Sequence, residues 1–189
     1  MRSEIHILDL GRGETQLAGR ALGADRYTNV IEPVVRSLSP RSILLLSFRD
    51  VEFATGSFFK ATWHALHPDE GAAVPSAVAH LSGEVREEFS IFLKGHRLLG
   101  LEAVDWTAKA ISLAKVHGQV EGSELRAVEA LCSKPGATAP ELQSLSHDGV
   151  SPTAWTNRLN ELHRQGLAFR EKAGRAWRFF PIAQEVQRG

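Results

Sequence analysis

The sequence predicts an α/β layer domain over residues 1–118, followed over residues 119–189 by a small α+β domain of three helices and a β-hairpin. Two observations carry this. Strand-like and helix-like apolar patterns alternate through the first stretch, as they do when helices cover a sheet. The rhythm then changes to short capped helices ending in two alternating strands. The 189 residues suffice for one generous domain or two small ones, and 43% hydrophobic with 23% charged residues marks a globular chain.

Each element has its own signal. Ile5–Leu10 runs apolar, as a first strand does. Glu14–Leu38 carries helical spacing, with Ile31, Val34, Val35 and Leu38 as one stripe and Pro33 forcing a restart. Ser42–Phe48, "SILLLSF", is a continuous apolar run that suits a strand buried on both faces. A helix follows in Ala54–Leu66, with Thr55 or Ser57 as N-cap and Phe58, Phe59, Thr62, Trp63 and Leu66 inward. His67–Pro75 reads as a loop and Ser76–Leu81 as a strand. Ser82–Gly100 is an amphipathic helix with Val85, Phe89, Phe92 and Leu93 on one side. "LEAVDW" and "AISLAKVHGQV" read as two further strands. His117–Ser123 is the expected boundary, because composition and periodicity both change there.

The tail opens with a helix through Leu125, Val128, Ala130, Leu131 and Cys132, stopped by "SKPG". Thr138 and Glu141 form a capping box that starts a second helix through Leu145. "SHDG" is a turn. Ser151 caps a third helix with Pro152 at its first position, where the missing N–H costs nothing. Trp155, Leu159 and Leu162 line one face, and Gly166 ends the helix. "LAFRE" and "AWRFF" are strands joined by "KAGR".

This layout resembles the winged helix-turn-helix superfamily, most of all its MarR-like and ArsR-like branches. The resemblance is carried by Ser151, Thr153, Ala154, Trp155, Thr156, Asn157, Arg158, Leu159, Leu162, Gly166 and Leu167, with a basic hairpin behind them. It implies binding of double-stranded DNA, with the third helix in the major groove. With Trp155, Leu159 and Leu162 buried, Thr153, Thr156, Asn157 and Asn160 project away as short donors and acceptors suited to base edges. Arg158 flanks them, and Lys172 and Arg175 at the wing tip suit phosphates or the minor groove. The same module also serves as a protein-docking element. One small reading unit covers one half-site, so a homodimer is expected.

The first half carries a second resemblance. Val51, Phe53, Ala54, Thr55, Ser57 and Phe58 match a STAS-like pattern in which a buried strand leads to a capped helix start. The resemblance implies a mixed sheet with flanking helices, and a histidine-kinase-like ATPase as partner and as the source of a phosphoryl group. The usual acceptor position holds Gly56, leaving Thr55 and Ser57 as candidate phosphoacceptors. Both hydroxyls also read as plain N-caps.

Charge favours the tail as the nucleic-acid face. The chain is neutral overall, with 22 basic and 22 acidic residues. Ser151–Phe180 nevertheless holds six basic residues against two acidic ones. The lone Cys132 fits a reducing compartment, no run approaches the ~20 apolar residues of a membrane span, and a cytoplasmic, non-membrane protein is expected. His64 and His67 sit three apart on a helix, but the sequence places no third metal ligand beside them. Glu84, Glu87 and Glu88 with Arg86 read as a solvated face. Gly11–Gly13 lacks the rest of any phosphate-binding fingerprint, and no nucleophile elbow or zinc-protease motif appears. No cofactor and no enzymatic activity are expected.

Overall fold

The chain runs out from a central sheet and returns to it at its end. The structure, a computed structural model, describes residues 3–68, 73–118, 122–146 and 149–189. β1 (Glu4–Asp9) and the short β2 (Gln16–Leu17) lead into α1 (Arg20–Arg26). The helical path widens to a π turn over Tyr27–Ile31 and finishes as α2 (Glu32–Val35). Pro33 brings no N–H to bond the carbonyl four residues back, so the regular ladder is interrupted there. β3 (Ser42–Ser47), the short β4 (Phe53–Ala54) and α3 (Gly56–Leu66) follow. β5 (Ser76–Ala79), α4 (Gly83–Gly95), β6 (Leu99–Thr107) and β7 (Ala110–Gly118) complete the first half.

The second half holds α5 (Gly122–Ser133), α6 (Ala139–Ser146) and α7 (Pro152–Arg164). The hairpin of β8 (Ala168–Ala173) and β9 (Ala176–Pro181) comes next, then β10 (Ala183–Arg188). The main sheet has the order β1-β3-β5-β6-β7-β10. Its pairs are parallel except for the antiparallel β6–β7. The mixed sheet with flanking helices is therefore present. β10 was not foreseen as part of it: Ala183–Arg188 lies beside Ile111–Val116, across the expected boundary. Parts of three expected features lie outside the described residues: the loop at 69–72, the boundary at 119–121 and the turn at 147–148.

Alternation along β3 explains why it is buried throughout. Leu44 and Leu46 join a cluster with Phe58, Phe59 and Trp63 of α3 and Val85, Phe89, Phe92 and Leu93 of α4. Ile43 and Leu45 point the other way, into a cluster with Leu131, Trp155, Leu159, Phe169 and Phe179. The second face is thus closed by the C-terminal helices and hairpin. A continuous apolar run signals burial on two sides without saying which segment supplies the second cover.

Several local signals act as the sequence predicts. Thr55 caps α3 and Ser151 caps α7, and Ser82, which the sequence did not single out, caps α4, each accepting from the N–H three residues on. Glu141 reaches back to the Thr138 N–H at 2.7 Å, but the Thr138 hydroxyl donates to that same carboxylate rather than completing the box. The chain turns out of α7 at Gly166, whose φ of +71° lies in the left-handed region that favours glycine. The Leu167 N–H then bonds the Leu162 carbonyl, closing the helix end.

Candidate nucleic-acid interface

α7 presents two stripes at helical spacing. Trp155, Leu159 and Leu162 point into the core. Thr153, Thr156, Asn157 and Asn160 recur at intervals of three and four on another side, where the first three are exposed and Asn160 is half-buried. The Thr156 hydroxyl donates to the Pro152 carbonyl at 2.9 Å, so its remaining capacity toward a ligand is as an acceptor. Arg158 is half-buried and lies over the Trp155 ring, 5.5 Å from its centroid, which holds the guanidinium at the flank.

The hairpin continues this surface. Direct cross-strand pairing puts Lys172 beside Trp177 and Arg170 beside Phe179 on one face, and Glu171 beside Arg178 on the other. Arg170 Nη1 donates to the side-chain Oδ1 of Asn160 at 3.3 Å, joining α7 to the hairpin. It also lies 4.7 Å from the centroid of the Trp177 ring. Lys172, Arg175 and Trp177 are exposed, the last by 43%. Glu171 is turned away and pairs with Arg41 at 2.5 Å. Arg178 donates to the Gly136 carbonyl at 2.7 Å, so it braces the hairpin against the α5–α6 connection. Neither Arg170 nor Trp177 is among the contact residues expected from the sequence. The signal was there, since strand alternation places 170, 172 and 177 on one face once the hairpin register is known.

The connection between α5 and α6 adds to the hairpin. Ala137 forms an antiparallel bridge with Phe179, the Gly136 N–H bonds the Phe179 carbonyl at 2.7 Å, and the Phe179 N–H bonds the Ala137 carbonyl at 3.0 Å. Phe180 packs over Gly136, where a Cβ would stand 2.8 Å from its ring.

The other expected residues fall elsewhere. Thr55 Oγ1 accepts from the Phe58 N–H at 3.3 Å and the Gly19 N–H at 3.0 Å, leaving its own proton for Ser57 Oγ at 3.0 Å. Ser57 is exposed, and a Cβ at Gly56 would meet open space. Of the two histidines three apart, His64 is half-buried and His67 is enclosed. His67 is buried, with Nδ1 at 2.9 Å from the Trp63 carbonyl and Nε2 at 2.9 Å from Ser76 Oγ. Burial pushes its imidazole down to about 4, against the two backbone hydrogen bonds that favour the charged form. Among the described residues, no group of three His, Cys, Asp or Glu could hold a metal. The Cys132 thiol donates to the Ala183 carbonyl at 3.4 Å, and burial pushes it up to about 11, which keeps it a poor nucleophile.

A buried polar cluster escaped the sequence reading. Arg86, taken for a member of a solvated face, grips both oxygens of Glu102 at 2.8–3.2 Å. His117 Nε2 lies 2.8 Å from the same carboxylate, and its Nδ1 lies 3.2 Å from Ser90 Oγ. Burial alone would push the Glu102 carboxyl up, but hydrogen bonds from His117 and Arg86 hold it at about 2. The cluster ties α4 to the β6–β7 pair and borders a cavity of about 430 Å³ between α4, β7 and the end of β10.

No protein-family model matches the chain, and no curated protein is similar to it. Among the described residues, no helix is long and apolar enough to cross a membrane.

Proposed function

We propose that the chain is a DNA-binding transcriptional regulator whose α7 enters the major groove while the β8–β9 hairpin grips the flanking backbone as a wing. The observation that carries this reading is the single exposed surface joined by the Arg170–Asn160 hydrogen bond. It unites short donors and acceptors on α7 with Arg170, Lys172 and Arg175 on the hairpin, and it turns the hairpin's only acid away. Base edges need the first set and phosphates the second. The order helix, bridging residue, helix, helix, hairpin supports a winged helix for residues 122–181. The α/β half, in this reading, is a STAS-like partner and assembly domain. One α7 reads one half-site, so the active species is a homodimer on a pseudo-palindrome. A monomeric mass at micromolar concentration would remove that part of the reading.

The test separates the two residue sets. Asn157→Ala is expected to weaken a preferred sequence by about 1–3 kcal/mol and to relax specificity. Lys172→Ala with Arg175→Ala is expected to weaken all duplexes alike and to lower the salt slope by about one unit per lost phosphate contact. Substitutions that leave both slope and preference unchanged would contradict the reading.

A second reading has one observation in its favour. Ser57 offers an exposed hydroxyl at the start of α3, while the Thr55 oxygen already accepts two N–H groups. A histidine-kinase-like ATPase that phosphorylates the chain would then act on Ser57, and the C-terminal unit would dock protein. Under that reading Ser57→Ala abolishes phosphoryl transfer and the hairpin substitutions change nothing.

A further inference from the structure

Trp177 is the one large apolar side chain left exposed on the hairpin, and its neighbours are cations. Lys172 lies directly across from it, and the Arg170 guanidinium sits over its ring at 4.7 Å. Glu171 lies on the opposite face and is paired with Arg41. Phe179, on the next pair of the same face, is buried, so Trp177 lies where that face runs out beyond the core. A protein-docking patch of ordinary kind would have no lysine beside its central aromatic and more apolar area around it.

We propose that Trp177, held by Arg170, is the hairpin's apolar contact with the deoxyribose of duplex DNA. This rests on the DNA-binding reading above and specifies how the wing engages. The cations on either side would lie against successive phosphates, and the sugar between them is the apolar part of the backbone. The guanidinium covers one face of the indole, and the proposal places a furanose against the rest of the ring. Arg170 has a double role: it orients the indole through the ring and registers the hairpin on α7 through Asn160. Such a contact adds affinity without releasing counterions, so its signature differs from that of a lysine or arginine.

The experiment compares wild type, Trp177→Ala, Trp177→Phe and Arg170→Ala on a labelled duplex and on one of its single strands, over ~50 to ~200 mM salt. Trp177 is 43% exposed, so Trp177→Ala is expected to stay folded, with a melting temperature lowered by a few degrees at most. It is expected to lose about tenfold in duplex affinity at every salt concentration with an unchanged slope, as burial of apolar area predicts. Trp177→Phe restores most of the loss, and Arg170→Ala lowers the slope by about one unit. Unchanged duplex affinity in Trp177→Ala would overturn the proposal while leaving the DNA-binding reading intact. A loss on the single strand as large as on the duplex would overturn it in favour of base stacking. A wild type that binds neither probe would remove both the reading and this contact.

Discussion

Gln165, the residue that closes α7, accepts a hydrogen bond from the Leu99 backbone N–H at 2.6 Å, and both residues are buried. Its amide nitrogen donates back to Glu161 on the same helix at 2.6 Å. The C-terminal end of α7 is thereby fastened to the first residue of β6, while its N-terminal end stays at the surface. Removing the side chain leaves a buried N–H without its partner, which costs about 1–3 kcal/mol. Gln165→Ala is expected to lower the free energy of urea unfolding by that amount. Unchanged stability would mean that α7 is not anchored through this bond.

The next residue makes a sharper comparison. Gly166 has φ +71°, and a Cβ there would stand 2.7 Å from the Val74 carbonyl and 2.8 Å from His67 Nε2. Gly174 in the hairpin turn has φ +63° with nothing near its Cβ position. Gly174→Ala carries backbone strain alone, about 1 kcal/mol. Gly166→Ala adds a clash with backbone and a packed imidazole, and is expected to cost at least about 3 kcal/mol or to prevent folding. Equal effects, measured as paired melting curves, would contradict the packing described here.

His67 makes stability depend on pH in a defined direction. Its folded value is lowered to about 4 by burial, whereas the unfolded imidazole protonates near 6.5. The stability it contributes is therefore present above pH 6.5 and is lost as pH falls toward 4, by about 3 kcal/mol in all. Ring resonances of His67 are expected to stay neutral until pH nears 4. A His67 signal titrating near 6.5 in the folded protein would refute this.

Glu102 acts in a lower window. Hydrogen bonds from His117 and Arg86 hold its carboxyl at about 2 against the upward push of burial, and the usual value is 4.5. Its contribution is present above pH 4.5 and is lost between 4.5 and 2, again about 3 kcal/mol. Glu102→Gln is expected to destabilise the protein by about 2 kcal/mol at neutral pH and to flatten the decline between pH 4.5 and 2. A variant whose acid unfolding matches wild type would show that the cluster does not hold the fold.

Much of the fold was legible because local chemistry and tertiary packing agree. The Ser151 cap, the stripe at Trp155, Leu159 and Leu162, and the stop at Gly166 are each written within a few residues. The reciprocal burial of α3 and α4 follows from helical spacing in the same way. What stayed hidden depends on distant partners. Nothing in "AQEVQR" announces that β10 pairs with β7, because an edge strand next to a hairpin carries only a weak apolar pattern. Arg86 reads as solvated until Glu102 and His117 arrive from strands 16 and 31 residues later. Those two were weakly signalled, as polar residues at buried positions of otherwise apolar strands. Arg170 and Trp177 needed the hairpin register to be seen as neighbours.

The most direct measurement is binding of the purified protein to labelled DNA from its own upstream region and to a scrambled duplex, at ~50 and ~200 mM salt. Preference for the upstream DNA is expected to survive the higher salt, with affinity falling along a slope set by the hairpin cations. Binding that ignores sequence and disappears at the higher salt, or no binding to either duplex, would contradict it.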